Sequence, residues 1–108
     1  MSRYDTTAPP EALAVTVARD GRLPAGAAET AAEAGAVLVV GSGAERAASS
    51  LAGVYRVWYL EVGGGFRPAS LTAQLAPILE DVTLILMPAS PDGRDLAPRV
   101  AAVLEGAG

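Results

Sequence analysis

The sequence of 108 residues contains no cysteine, no histidine and no lysine, and only 5% of it is aromatic. Without cysteine and histidine there is no disulfide framework, and the usual ligands of zinc fingers, haems and iron–sulfur clusters are missing. A catalytic triad that depends on histidine is excluded within this chain. Without lysine there is no Schiff base and no Walker-type phosphate loop. These absences exclude most of the common catalytic constellations.

The charge balance is acidic, with 12 carboxylates against 8 basic residues, all of them arginine, and a net charge of −4. An acidic chain with scattered arginines is a poor nucleic-acid binder. No apolar run approaches the roughly 18–20 residues of a membrane span, and residues 1–10 lack the pattern of a secretory signal. We therefore expect a cytoplasmic protein with no nucleic-acid partner and no membrane insertion.

The chain is predicted to consist of a flexible leader over residues 1–11 and one domain over residues 12–108. Within the domain, a short apolar run followed by a helix-like stretch occurs four times. The apolar runs cover residues 13–18, 36–40, 57–62 and 83–87, each close to the usual length of a strand. The first, second and fourth are apolar almost throughout, which is typical of strands covered on both faces. The third carries Tyr59 and Glu61 on one face, which suits an edge strand.

The stretches between and after these runs have helical spacing of their apolar residues. The first is bracketed by Pro24 and Gly35, and Pro77 is expected to kink or divide the third. The predicted inner faces are Ala28, Ala31 and Ala32 in the first helix; Ala44, Ala47, Ala48 and Leu51 in the second; Leu71, Leu75, Ile78 and Leu79 in the third; and Leu96, Val100, Val103 and Leu104 in the fourth.

Four alternations of strand and helix predict an α/β fold, a three-layer αβα Rossmann-like parallel sheet with strand order 3-2-1-4. The switch point then lies between strands one and four, and the loops at residues 18–22 and 89–95 line its crevice. Strand four is apolar on both faces, although this order leaves it at an edge. We therefore expect a truncated domain, in which a fifth strand, another domain or a partner subunit covers that edge.

The turn Gly41-Ser42-Gly43 follows a strand and precedes a helix, as in dinucleotide-binding fingerprints. Arg46 stands where the third glycine is needed, and no acidic ribose ligand follows at the expected distance. The sequence favours a tight turn here, with weak anion binding at the helix start as the alternative. No pair of carboxylates is placed for acid–base catalysis.

The segment at residues 90–99 follows the fourth strand and lies at the predicted switch point. Asp92 or Asp95 is expected to cap the next helix, and Pro98 suits its first turn if Asp95 is the cap. Arg94 and Arg99 are either solvated or able to bind a carboxylate or phosphate through two hydrogen bonds. The residues alone leave both interpretations open.

Three segments carry a family resemblance. Residues 15–24 read Val-Thr-Val-Ala-Arg-Asp-Gly-Arg-Leu-Pro, residues 39–44 read Val-Val-Gly-Ser-Gly-Ala, and residues 89–104 contain the specific motif Gly-Arg-Asp-Leu-Ala-Pro-Arg. Together they resemble the N-terminal domain of the electron transfer flavoprotein alpha subunit. The variant Ser-Pro-Asp at residues 90–92 and the short helices look like the branch associated with the mycofactocin system.

The resemblance implies a subunit that pairs with a beta subunit and passes electrons from flavin dehydrogenases to a downstream acceptor. In this family FAD is held mainly by a separate C-terminal domain, so its site is expected outside this chain and the isolated chain is expected to carry no cofactor. The N-terminal domain is chiefly a scaffold and subunit interface, an electron-carrier component and not an enzyme. The candidate interface or anion-loop residues are Gly93, Arg94, Asp95, Pro98 and Arg99.

Two other hypotheses remain. The chain could be a small adenine-nucleotide-binding α/β module that uses the crevice between residues 18–22 and 89–95. It could also be a stand-alone enzyme, which the lack of histidine, cysteine and lysine makes the weakest of the three.

Overall fold

A computed structural model describes residues 2–3, 11–51, 56–63 and 68–107. Its elements in chain order are β1 (Ser2–Arg3), β2 (Ala12–Ala18), α1 (Ala27–Ala34), β3 (Ala36–Gly41), α2 (Ala44–Ala48), β4 (Arg56–Glu61), α3 (Pro68–Leu79), β5 (Leu84–Leu86) and α4 (Pro91–Ala107).

The strands form one parallel sheet in the order β1-β4-β3-β2-β5. The four strands predicted from the sequence are β2 to β5, and their order is the predicted 3-2-1-4. The α/β fold with helices flanking a parallel sheet is thus confirmed. A fifth strand, β1, was not predicted: its residues Ser2 and Arg3 pair with Trp58 and Tyr59 on the outer side of β4. Residues 4–10 of the predicted leader lie outside the described residues, so the boundary between leader and domain stays a prediction.

The two central strands, β2 and β3, are buried on both faces because each face is covered by a different pair of helices. Successive side chains of a strand point to opposite faces. On one face Leu13, Val15 and Leu38 pack with leucines of α3 and α4. On the other face Ala14 and Val37 pack with alanines of α1 and α2. This explains why the sequence of both strands is apolar almost throughout and does not alternate.

Two predicted helix features are wrong in detail. In α1 the buried alanines are Ala27 and Ala31, whereas Ala28 and Ala32 are exposed. The helix begins after Gly26, which has a left-handed φ of 88°. Helix α3 is continuous through Pro77 and ends two residues later, so this proline does not divide it. By contrast, the predicted inner faces of α2 and α3 are at least half-buried throughout.

Helix α4 is the longest, with 17 residues, and it starts before the position that an Asp95 cap requires, so that Pro98 lies inside it. Leu96 and Val100 are buried and Leu104 is half-buried, as predicted, whereas Val103 is 42% exposed. Strand β5 has only three residues and stands at the sheet edge, where the sequence placed it, with Leu84 exposed. None of the helices in the described part of the chain has both the length and the apolar character needed to cross a bilayer.

The two valines of α4 provide a matched test of this packing. Val100→Ala removes a side chain that is 3% exposed and packed in the core, so we expect the free energy of unfolding to fall by about 2 kcal/mol. Val103→Ala removes the same atoms from a surface position, where the expected change is within about 0.5 kcal/mol. Urea denaturation followed by circular dichroism measures both. Equal losses in the two variants would contradict the orientation of α4.

Candidate functional site at the carboxyl edge of the sheet

The edge of the sheet at which the strands end, called here the carboxyl edge, begins with a tight turn after β2. The backbone N–H of Arg22 donates to the carbonyl of Arg19 over 3.0 Å, and Arg19 donates back over 3.1 Å. The two central residues, Asp20 and Gly21, have φ values of 51° and 78°. This is the pattern of a type I′ hairpin turn, for which Asp-Gly is a preferred pair. The loop predicted at residues 18–22 is thus a tight hairpin turn.

This turn packs directly on the Gly41-Ser42-Gly43 turn that follows β3. The N–H of Asp20 donates to Ser42 Oγ over 2.9 Å, and the N–H of Gly21 donates to the Ser42 carbonyl over 3.1 Å. A Cβ atom on Gly43 would lie 2.3 Å from the backbone nitrogen of Gly21. The glycine at this position is therefore explained by the close approach of two backbones.

The amides at the start of α2 are occupied by a carboxylate of the chain itself. The N–H groups of Gly43 and Glu45 donate to the two carboxylate oxygens of Glu61 over 3.2 and 3.0 Å. Glu61 ends β4 and so stands where a bound anion would be stabilised by a helix N-terminus. The geometry supports the tight-turn interpretation of Gly41-Ser42-Gly43, and the alternative anion position is filled internally.

A second carboxylate closes the gap between β2 and α4. Arg19 Nε donates to Asp92 Oδ2 over 2.7 Å, and Arg19 Nη2 donates to Asp92 Oδ1 over 2.6 Å. This two-point geometry is the strongest form of an arginine–carboxylate pair. The hydrogen bond and the charge of Asp92 raise the pKa of Arg19. The pair joins the two loops that the sequence placed at the switch point.

A crevice of about 410 Å³ lies beside this pair. Its apolar wall is formed by Val17, Leu23 and Pro24, and its charged rim by Arg19, Asp20, Arg22 and Asp92. The loop after β2 and the start of α4 thus share one crevice, as the predicted topology required. Of the rim cations, Arg19 is already bound to Asp92, while Arg22 is exposed.

Helix α4 is capped by Ser90, and neither Asp92 nor Asp95 acts as the cap that the sequence analysis expected. Ser90 Oγ accepts a hydrogen bond from the N–H of Gly93 over 3.1 Å, and the Ser90 carbonyl accepts one from Arg94 over 2.9 Å. Pro91 then occupies the first helical position, where its missing N–H costs nothing. A serine followed by proline is thus the start signal of this helix.

The five predicted interface or anion-loop residues divide into two groups. Gly93 is buried, and a Cβ atom there would lie 2.2 Å from the carbonyl oxygen of Pro88. The other four, Arg94, Asp95, Pro98 and Arg99, are exposed and spaced along one face of α4. Arg99 Nε lies 3.5 Å from Asp95 Oδ1, a loose surface pair one helical turn apart.

Sequence reasoning missed the residues that fill this edge, Arg19, Glu61 and Asp92. Arg19 and Asp92 lie 73 positions apart, so only the switch-point topology could have brought them together. For Glu61 a signal was present, because a charged residue at the end of β4 neighbours the glycine turn that ends β3 in a parallel sheet.

The fold and this edge define a doubly wound α/β domain, with its carboxyl edge partly closed by its own side chains. The model of the electron transfer flavoprotein domain matches residues 10–107, and the chain belongs to this family. No individual curated protein matches the sequence.

The family implies association with FAD, and the described residues do not fit a dinucleotide at this edge. A pyrophosphate at the α2 start would have to displace Glu61, and the Asp20–Gly21 backbone already packs against the Gly41–Gly43 turn. Within the described ranges, no group of three or more carboxylates is placed to hold a metal ion.

The close approach of Gly93 to Pro88 predicts the sign of the stability change when Gly93 is replaced by alanine. Replacing a helical glycine by alanine ordinarily stabilises a protein by roughly 0.5–1 kcal/mol. In Gly93→Ala the added methyl group would press on the Pro88 carbonyl, so we expect destabilisation by about 2 kcal/mol or more. Thermal and urea unfolding measure it. A variant more stable than the parent chain would contradict the close approach of Gly93 to Pro88.

The Arg19–Asp92 pair is tested by a double-mutant cycle. Arg19→Gln and Asp92→Asn should each lower the urea midpoint, and the double variant should lower it by less than the sum, because the two side chains act together. The exposed pair Asp95–Arg99 is the matched control. A second cycle with Asp95→Asn and Arg99→Gln should show no measurable coupling energy. Equal coupling in the two cycles would contradict the special role of the Arg19–Asp92 contact.

Proposed function

We propose that the chain is the N-terminal scaffold and subunit-interface domain of an electron transfer flavoprotein alpha subunit. In this role it pairs with the beta subunit and supports FAD-mediated electron transfer from flavin dehydrogenases, as a carrier component and not as an enzyme. FAD in the complete heterodimer is then held outside this chain. The Ser90-Pro91-Asp92 sequence favours the mycofactocin-associated branch, and a cytoplasmic location is part of the same proposal.

One observation carries the scaffold role above all. At the carboxyl edge, domains of this fold hold anionic ligands. Here Glu61 accepts hydrogen bonds from the N–H groups at the start of α2, and Asp92 accepts two from Arg19. Because both carboxylates come from the chain itself, the edge is organised for internal packing. A domain of this kind positions other parts of an assembly and needs no nucleophile or metal ligand of its own.

The outer face of α4 supports the interface role. Arg94, Asp95, Pro98 and Arg99 are exposed, carry both signs of charge and belong to the most specific motif of the resemblance. In the described part of the chain, Arg94 makes no ion pair and Arg99 makes only the loose contact with Asp95. Mixed charges of this kind at the rim of an interface set specificity and association rate.

The second candidate function is an adenine-nucleotide-binding module, and the crevice beside Arg19 and Arg22 is the observation that favours it. Calorimetric titration of the chain with AMP and ATP separates the two functions. Binding in the micromolar range would favour the nucleotide module, whereas the scaffold role predicts no saturable binding.

The scaffold role predicts that the purified chain is colourless. After incubation with excess FAD and gel filtration, we expect no flavin absorption band in the protein fraction, because the dinucleotide positions at the carboxyl edge are filled internally. A stoichiometric flavin spectrum in that fraction would refute the placement of FAD outside this chain.

The interface on α4 is tested by charge reversal. Arg94→Glu combined with Arg99→Glu should weaken association with the beta subunit by roughly tenfold or more, because complementary charges become repulsive. Glu29→Lys on the exposed side of α1 is the control and should leave association unchanged. Surface plasmon resonance with immobilised beta subunit gives both affinities. Equal affinities of the parent chain, the double variant and Glu29→Lys would place the interface elsewhere.

A further inference from the structure

The charged rim of the crevice at the carboxyl edge contains two kinds of side chain. Arg19 and Asp92 are bound to each other over 2.6 and 2.7 Å. Arg22 and Asp20 line the same crevice and are exposed. Within the described ranges, neither of these two side chains takes part in an ion pair or a side-chain hydrogen bond. The rim therefore offers one cation and one anion that are not in contact with each other.

The backbone that carries these two charges is held in a fixed conformation. Both residues belong to the hairpin turn after β2, in which Arg19 and Arg22 exchange backbone hydrogen bonds. The N–H of Asp20 is bound to Ser42 Oγ over 2.9 Å, which ties the turn to the neighbouring loop. A site whose backbone is ordered before the ligand arrives loses less free energy on binding. The two charges are therefore presented from a preformed turn.

The remaining lining of the crevice is apolar. Val17 is buried, whereas Leu23 and Pro24 are half-buried beside it. Leu23 also packs against the core cluster that contains the alanines of α1 and α2, so this wall is connected to the core. The volume of about 410 Å³ falls within the roughly 300–1,000 Å³ of small-molecule sites, which combine apolar walls with a few polar groups. The crevice thus has the size and composition for a small ligand with an apolar part.

The balance of charge at the rim restricts the charge of that ligand. Two arginines and two carboxylates line the crevice, so their formal charges cancel. Asp92 raises the pKa of Arg19 most strongly, and the charge of Asp20 adds to this effect, so Asp20 also acts on the rim. A phosphate monoester carries about −1.5 to −2 charges near pH 7, and here it would meet two carboxylates. A zwitterion with one positive and one negative group leaves no charge unbalanced.

We propose that the crevice binds a free α-amino acid with an apolar side chain. The carboxylate of the ligand pairs with Arg22, its ammonium group pairs with Asp20, and its side chain lies against the apolar wall. The Arg19–Asp92 pair closes the rim and takes no part in the contact. This site goes beyond the scaffold role and does not rest on it. Its test uses neither FAD nor the beta subunit, so the two proposals can fail separately.

The experiment titrates the full chain with L-phenylalanine and follows the methyl signals of Val17 and Leu23 by NMR. The aromatic ring should shift these signals, with saturation at a Kd of about 1 mM or below. Three matched probes each lack one feature: N-acetyl-L-phenylalanine the ammonium group, L-phenylalaninamide the carboxylate, and glycine the apolar side chain. Each should bind at least about tenfold more weakly. Lack of saturation, equal binding of N-acetyl-L-phenylalanine, or tighter binding of AMP, which would assign the crevice to a nucleotide, would overturn the proposal.

Variants of the chain assign each charge of the ligand to its partner. Arg22→Gln and Asp20→Asn should each weaken L-phenylalanine by roughly tenfold, and asparagine tolerates the left-handed backbone at this turn position. Arg22→Gln should leave the binding of L-phenylalaninamide unchanged, because that probe has no carboxylate, and Asp20→Asn should leave N-acetyl-L-phenylalanine unchanged.

Arg46→Gln is the matched control for the loss of a positive charge. The stem of Arg46 packs on Gly21 of the same turn, but Arg46 does not line the crevice. The Kd of its variant should stay within about twofold of the parent value, since exposed charges act weakly at a distance. Circular dichroism spectra show whether each variant is folded. Unchanged affinity of Arg22→Gln or Asp20→Asn for L-phenylalanine would overturn the proposal, as would an equal loss in Arg46→Gln.

Discussion

The coverage of β2 and β3 on both faces is the constraint on which the rest of this structure depends. Burying a polar side chain in either layer costs free energy, so both strands are nearly uniform apolar runs. Thr16 of β2 is an exception among the described residues, because its hydroxyl is buried without a hydrogen-bond partner. The layers they separate are chemically different. The α1 and α2 side is built largely of alanine, whereas the α3 and α4 side is built of leucine, valine and Trp58. Because the side chains of α1 and α2 are short, these helices can lie close to the sheet. The turns after β2 and β3 then come within hydrogen-bonding distance of each other.

That closeness shapes the carboxyl edge. The turn after β2 rests on the turn after β3, and the amides that such a fold often offers to phosphate are taken by Glu61. Across the switch point, Arg19 and Asp92 connect the same β2 turn to α4. The domain therefore keeps the doubly wound α/β architecture while its own carboxylates pair with the polar groups of the carboxyl edge. The fold alone is therefore a weak guide to which ligand a domain binds.

The sequence predicted the strands, their order and most buried positions because these follow from apolar periodicity and from the handedness of crossovers. It failed where a local detail decided the outcome. The buried face of α1 is turned by one residue from the predicted one, and the start of α4 is capped by the Ser90 hydroxyl and by neither of the two nearby aspartates. The pairing of Arg19 with Asp92 depends on side-chain reach across two loops, which no pattern along the chain encodes. The exposed apolar edge at β5, by contrast, followed from the mismatch between its composition and its place in the sheet.

The carboxylate of Glu61 has a consequence for how this domain assembles. Helix α2 has only five residues, and a helix this short does not persist alone in water. The N–H groups of its N-cap, Gly43, and of Glu45 find this acceptor only when β4 is in place, because Glu61 stands at the end of that strand. Thus β3, α2 and β4 form a cooperative unit in which the helix is a product of strand pairing, and local opening of β4 at its end would melt α2 with it.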